Sequence, residues 1–220
     1  MDYGFVGSWH FWGGAAFASL VATAVMLCRA PWRQLLLNSE RQHALFLAVL
    51  ALSIFWQLEV KIIGAVSLHP LLLMSLVMIF GVEFALIAGS LALLLWGLLQ
   101  GRELITLVIP WAFNVVLAGF AAHWVLLLIE RLPSRNLFVY MLGGGFFGAM
   151  FTVQVATLGQ WLYIALVGPA PLLVIASDYY YLSLLMMFPE GFINGAIMTM
   201  MTVFKPHLVR SFDDHRYLDE

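Results

Sequence analysis

Apolar stretches long enough to cross a bilayer follow one another from residue 11 to residue 204, separated by polar segments too short to form a domain of their own. A chain built in this way folds in lipid, where backbone N–H and C=O groups must be paired within the protein. That requirement predicts an all-α polytopic helix bundle forming one integral membrane domain over residues 1–220. With 63% hydrophobic residues, 10% charged residues and a mean hydropathy of +0.97, the chain lacks the polar surface that a soluble globule of its size needs.

Seven spans are expected, at residues 11–28, 44–64, 69–82, 84–99, 104–129, 137–167 and 182–204. The third and fourth are short, which predicts half-length or steeply packed helices around Gly81 and Glu83. Irregular backbone at that depth is tolerated only inside protein or beside a polar cavity. Arg29, Arg33, Arg41, Arg131, Arg135, Lys205, Arg210 and Arg216 fall on one side of these spans, and Lys61 and Arg102 on the other. The positive-inside rule then puts the N-terminus outside and the C-terminus in the cytoplasm. No Lys or Arg precedes Arg29, so the basic region of a cleaved signal peptide is missing and a retained N-terminus is expected. The Gly168–Pro171 stretch is read as an external turn, Ser177–Leu182 as an interfacial aromatic belt, and the glycines of Leu142–Met150 as sites of close helix approach.

A net charge of −2 with no basic stripe argues against a nucleic-acid partner and leaves membrane lipid as the general surroundings. Cys28 stands alone, so no intrachain disulfide forms, and it is read as a small buried hydrophobe. Acidic residues inside apolar runs are the informative charges, and Glu59, Glu83, Glu190 and Asp178 are the candidates. Glu59 is read as a snorkelling partner of Lys61; Glu83 is either an exposed turn residue or a buried one. Glu190, between Pro189 and Gly191, either makes a structural hydrogen bond into the bundle or serves function directly. His10 and His69 are the two histidines that the topology puts at the outer surface, His10 between Trp9 and Phe11 as an interfacial anchor. No nucleophile elbow, zincin helix, paired-carboxylate spacing or phosphate loop is present, so no enzyme activity and no intrinsic cofactor are expected.

The run Ala65–Gly81, with Ser67, His69 and a glycine twelve residues past the histidine, resembles a motif of the CbiM/NikM family, the membrane components of cobalt and nickel energy-coupling-factor transporters. Phe113–Gly119, with Asn114 and Gly119, resembles the family's Asn-x-x-x-x-Gly stretch, and the segment from Pro189 through Lys205, Pro206 and Leu208 is similar to its last helix. The resemblance implies the substrate-binding subunit of an ABC-type transporter in a bacterial inner membrane. It also implies a second transmembrane subunit and cytoplasmic ATPase subunits as partners, with Ni2+ or Co2+ as the transported substrate. Members hold the metal with the N-terminal amine, a histidine at the second position with its amide, and the histidine of the third-span motif. Such nitrogen donors suit nickel or cobalt.

This chain begins Met-Asp-Tyr, so the second-position imidazole is replaced by Asp2. His69 is carried over as a ligand, Met1 enters through its amine, and Asp2 and His10 are candidates for the remaining positions. Asn114 and Glu190 are expected to support packing or orient helices. The missing histidine motivates an alternative from another class, a membrane interaction or scaffold subunit that has kept the fold and lost the metal site.

Overall fold

The computed structural model describes residues 9–58, 60–63, 66–132, 136–213 and 217. Its elements are α1 (Trp9–Arg29), α2 (Trp32–Leu36), α3 (Ser39–Phe55), β1 (Val60–Ile63), β2 (Val66–Leu68), α4 (Leu73–Phe80), α5 (Val82–Leu99), α6 (Leu104–Arg131), α7 (Leu137–Val167) and α8 (Ala170–Phe204). Helices α1, α5, α6, α7 and α8 are long and apolar enough to cross a membrane. Helix α3 has 17 residues and α4 only 8.

The all-α expectation holds for every long element, with one addition. The expected second span, 44–64, stops as a helix at Phe55, and β1 pairs antiparallel with β2, Val60 opposite Leu68 and Lys61 opposite Ser67. Val60, Ile62, Ile63 and Val66 are β-branched, which favours the pleated chain over the helix there. The last helix begins at Ala170, not at residue 182, because Pro171 in its first turn needs no intrahelical donor. The Ser177–Leu182 stretch is therefore helical, with Tyr179 buried and Tyr181 exposed. Cys28 is exposed, since α1 turns most of its surface away from the bundle.

At the centre stands α4, every residue of which is buried. Helix α5 folds back from it at Gly81, and α6, α7 and α8 pack around the rest. A helix apolar but for Ser75 and surrounded by protein gains dispersion contacts on every side, the main attraction available inside a membrane. Close packing needs small residues, and Gly145 of α7 lies so near α8 that a Cβ there would sit 3.4 Å from Gly195 Cα.

A helix this short exposes polar backbone at both ends. At its C-terminal end all four last carbonyls are taken. Val77 O accepts from Gly81 N–H (2.9 Å), Met78 O from Ser211 N–H (3.1 Å), Ile79 O from Arg210 N–H (2.9 Å), and Phe80 O from Arg210 Nη1 (3.4 Å). The segment after α8 is thus folded onto α4 as a cap. Tyr140 holds Ser211 through its hydroxyl (2.7 Å), and Phe212 stacks on Tyr217. Arg210 also pairs with Glu83 at 2.8 Å, which resolves the two readings of that residue in favour of a partly buried ion pair. Lys205 and His207 bind Glu40 at the start of α3, at 2.7 and 3.0 Å.

Two outcomes are expected. Gly81 has φ +86°, and a Cβ there would come within 2.8 Å of the Arg210 guanidinium carbon, so Gly81→Ala should cost about 1–3 kcal/mol, read as a lowered thermal midpoint. The Glu40 carboxyl is held below its usual 4.5 by hydrogen bonds from Lys205 and then His207. A carboxylate lowered in the folded state stabilises fully above its ordinary value and loses that contribution as pH falls through the lowered one. Between those two values, stability should fall with pH less steeply in Glu40→Gln than in the parent chain.

Candidate metal-capture site

The hairpin ends at Leu68 and delivers His69 to the head of an unwound stretch, residues 69–72, before α4 begins. Pro70 has no N–H to lose, and its neighbours Leu71 and Leu72 are buried. Leu72 has φ +60°, a left-handed conformation that a leucine adopts only when its surroundings enforce it.

Those surroundings come from α8. Glu190 is 1% exposed and Asn194 fully buried, and at a spacing of four they share one helix face. Glu190 Oε2 accepts from Leu71 N–H and Oε1 from Leu72 N–H, both at 2.7 Å. Asn194 Nδ2 donates to the same Oε1 at 2.9 Å, and its Oδ1 accepts from Ser75 N–H at 3.0 Å and from the Ser75 hydroxyl at 2.6 Å. The Ser75 amide can only donate, which fixes the orientation of the Asn194 amide. A carboxylate against the open N–H groups of a helix start is the favourable polarity. Glu190 thus makes the hydrogen bonds into the bundle that one of its two sequence readings expected.

On its other side His69 meets tryptophans. Its ring centroid is 5.2 Å from that of Trp56 and 6.3 Å from that of Trp96. Trp56, 1% exposed, donates from Nε1 to Pro70 O at 2.9 Å, and Trp96 donates from Nε1 to Trp56 O at 3.0 Å. The Arg102 guanidinium lies 5.8 Å from the Trp96 ring. His69 Nδ1 is 3.4 Å from Pro70 O, a long contact that only the tautomer protonated at Nδ1 makes as a hydrogen bond.

His10 is exposed in the first turn of α1. Its neighbours Phe11 and Trp12 pack with Ile109, Ile164, Leu172 and Ala176, and Tyr163 donates its hydroxyl proton to Phe11 O. Met1, Asp2 and Glu59 lie outside the described residues. Among the described residues no three of His, Cys, Asp and Glu are grouped so as to hold a metal ion. Asn114 is buried in the π-helical part of α6, within reach of Tyr179. Trp56, Trp96 and Asn194 are the site's neighbours that sequence reasoning missed. Asn194 carried a signal, four residues after Glu190 in an otherwise apolar helix, whereas nothing local joined either tryptophan to His69.

Residues 1–208 match a family model, CbiM, described as the cobalt uptake substrate-specific transmembrane region. Comparison with curated proteins and with solved structures returns no match.

Trp56→Phe keeps most of the ring contact with His69 and removes the buried donor to Pro70 O. The loss should cost about 1–3 kcal/mol, seen as a lower thermal midpoint and faster hydrogen exchange at the Leu71 amide.

Proposed function

Because the chain belongs to the cobalt-uptake transmembrane family, we propose that it captures the metal ion, cobalt or nickel, at the outer face of a bacterial inner membrane. Family membership makes it a multi-pass membrane component of cobalt uptake and not an enzyme. In our reading it is the substrate-binding subunit of an energy-coupling-factor transporter, served by a second transmembrane subunit and by cytoplasmic ATPases that supply the energy.

One observation carries this reading: His69 sits on a stretch of chain that Glu190, Asn194 and Trp56 pin from two sides. A neutral imidazole held in one place is a good donor for Co2+ or Ni2+. Met1 through its amine, Asp2 through a carboxylate oxygen and His10 are the other donors of the proposed set. The spacing of twelve between His69 and Gly81 gains a physical meaning, since it is the length of the unwound stretch plus α4 up to the turn.

Seven crossings, with α3 and the leg from His69 to Phe80 added to the five long helices, fit the hydrogen bonds at the two ends. Trp96 to Trp56 O and Gln100 to Gln57 join the ends of α3 and α5 beside His69. Lys205 to Glu40 and Arg210 to Glu83 join the start of α3, the Gly81 turn and the tail at the opposite end. The basic residues near that opposite end support a cytoplasmic C-terminus and an external N-terminus.

Titration of the purified full chain with Co2+ and with Ni2+ tests the proposal. His69→Ala should weaken binding by more than about tenfold. Equal affinity in the two proteins would remove His69 from the site, and an absence of binding by the parent chain would favour the interaction subunit that has lost its metal.

A further inference from the structure

Among the described residues Glu190 is the only acidic side chain that is buried. Its carboxylate oxygens face the N–H groups of Leu71, Leu72 and the Asn194 side chain, and each of them donates. A carboxylic acid would need an acceptor for its proton, so the pattern is that of an ionised carboxylate. The charge lies close to the proposed ligand. Leu71 N–H is 2.7 Å from the carboxylate and two residues from His69, which keeps the anion within roughly 10 Å of the His69 backbone. No water-filled gap of bulk dimensions separates them, since Pro70, Leu71 and Leu72 are all buried, and a buried charge is little screened by salt.

We propose that Glu190 is a positioning residue for metal capture, acting on the metal through the residue 69–72 stretch and through its negative charge. The inference rests on the reading of His69 as a ligand. Two effects combine. The first is geometric: the two backbone bonds hold the left-handed turn at Leu72, and that turn sets where His69 stands relative to Trp56 and Trp96. The second is electrostatic. The imidazole and amine donors of the proposed set bring no charge to a divalent ion, and a fixed anion behind the loop adds to the Asp2 carboxylate in lowering the cost of taking the ion out of water. Asn194 makes the arrangement rigid, because its amide is itself locked by Ser75 and cannot turn away from the carboxylate.

Glu190→Gln preserves the volume and tests both effects. The new amide nitrogen must face a backbone N–H, donor against donor, and the charge is gone. The full chain is titrated with Co2+ alone, and both the affinity and the d–d absorption spectrum of the bound ion are recorded. Glu190→Gln should lose about 10- to 100-fold in affinity and shift the Co2+ bands, and Glu190→Asp, which restores the charge on a shorter arm, should recover part of the affinity. Affinity and spectrum like those of the parent chain in Glu190→Gln, with binding abolished in His69→Ala, would overturn the positioning role alone. Parent-like binding in His69→Ala would instead overturn the reading on which it rests. Should Glu190→Gln not yield monodisperse protein, Glu190→Asp is read in its place, since the shorter arm cannot keep both backbone bonds at their present length. A shifted Co2+ spectrum in that variant supports the role, and a parent-like spectrum and affinity overturn it.

Discussion

A short helix buried on every side within a membrane protein has nowhere to hide its polar ends, and the rest of this fold is arranged around satisfying them. Helix α4 has eight residues, too few for its internal hydrogen bonds to dominate, and lipid offers no water to the remainder. One continuous piece of chain answers both ends. Glu190 and Asn194 of α8 take the N–H groups at the start, and Arg210 and Ser211, beyond the end of α8, take the carbonyls at the finish. The last helix and its tail therefore act as a clamp, and the site and the opposite end of the bundle are joined through α4.

This arrangement explains how an irregular stretch of backbone can carry His69 without becoming loose. Residues 69–72 are not helical, yet Leu71 and Leu72 donate to Glu190 and Pro70 accepts from Trp56. Each bond to the charged carboxylate is of the stronger kind, and in a low-dielectric interior an unpaired alternative is costly. The loop is held by its backbone, which leaves the imidazole itself to be tuned by its tryptophan neighbours. A family signature with a serine, a histidine and a distant glycine then reads as a set of mechanical positions: strand, loop and turn.

Much of this was legible in the sequence. The apolar runs gave the bundle, the short run before Gly81 gave the broken third leg, and Glu190 stood out because a carboxylate in an apolar helix demands a partner; the fourth span, expected to be short as well, is instead α5, 18 residues and long enough to cross. The glycine cluster of α7 marked a close helix approach, which Gly145 against Gly195 makes. Other features were not legible, for physical reasons. The span expected to reach residue 64 ends at Phe55, because β-branched residues in a pairing hairpin outweigh a hydropathy average that sees only apolarity. The last helix begins twelve residues before its expected start, at Ala170, since an aromatic, partly polar stretch is compatible with a helix whose one face is buried.

By itself the sequence determined that the chain lives in lipid, that its long segments are helical and that His69 stands at the head of a short apolar leg, because composition, run length and spacing are local quantities. Which group answers Glu190, which tryptophans flank His69 and what closes the far end of α4 were decided by tertiary structure alone. Leu71 and Glu190 are separated by 119 residues and Met78 and Ser211 by 133. Hydrogen bonds over such separations depend on how the helices pack, and no window of sequence contains both partners.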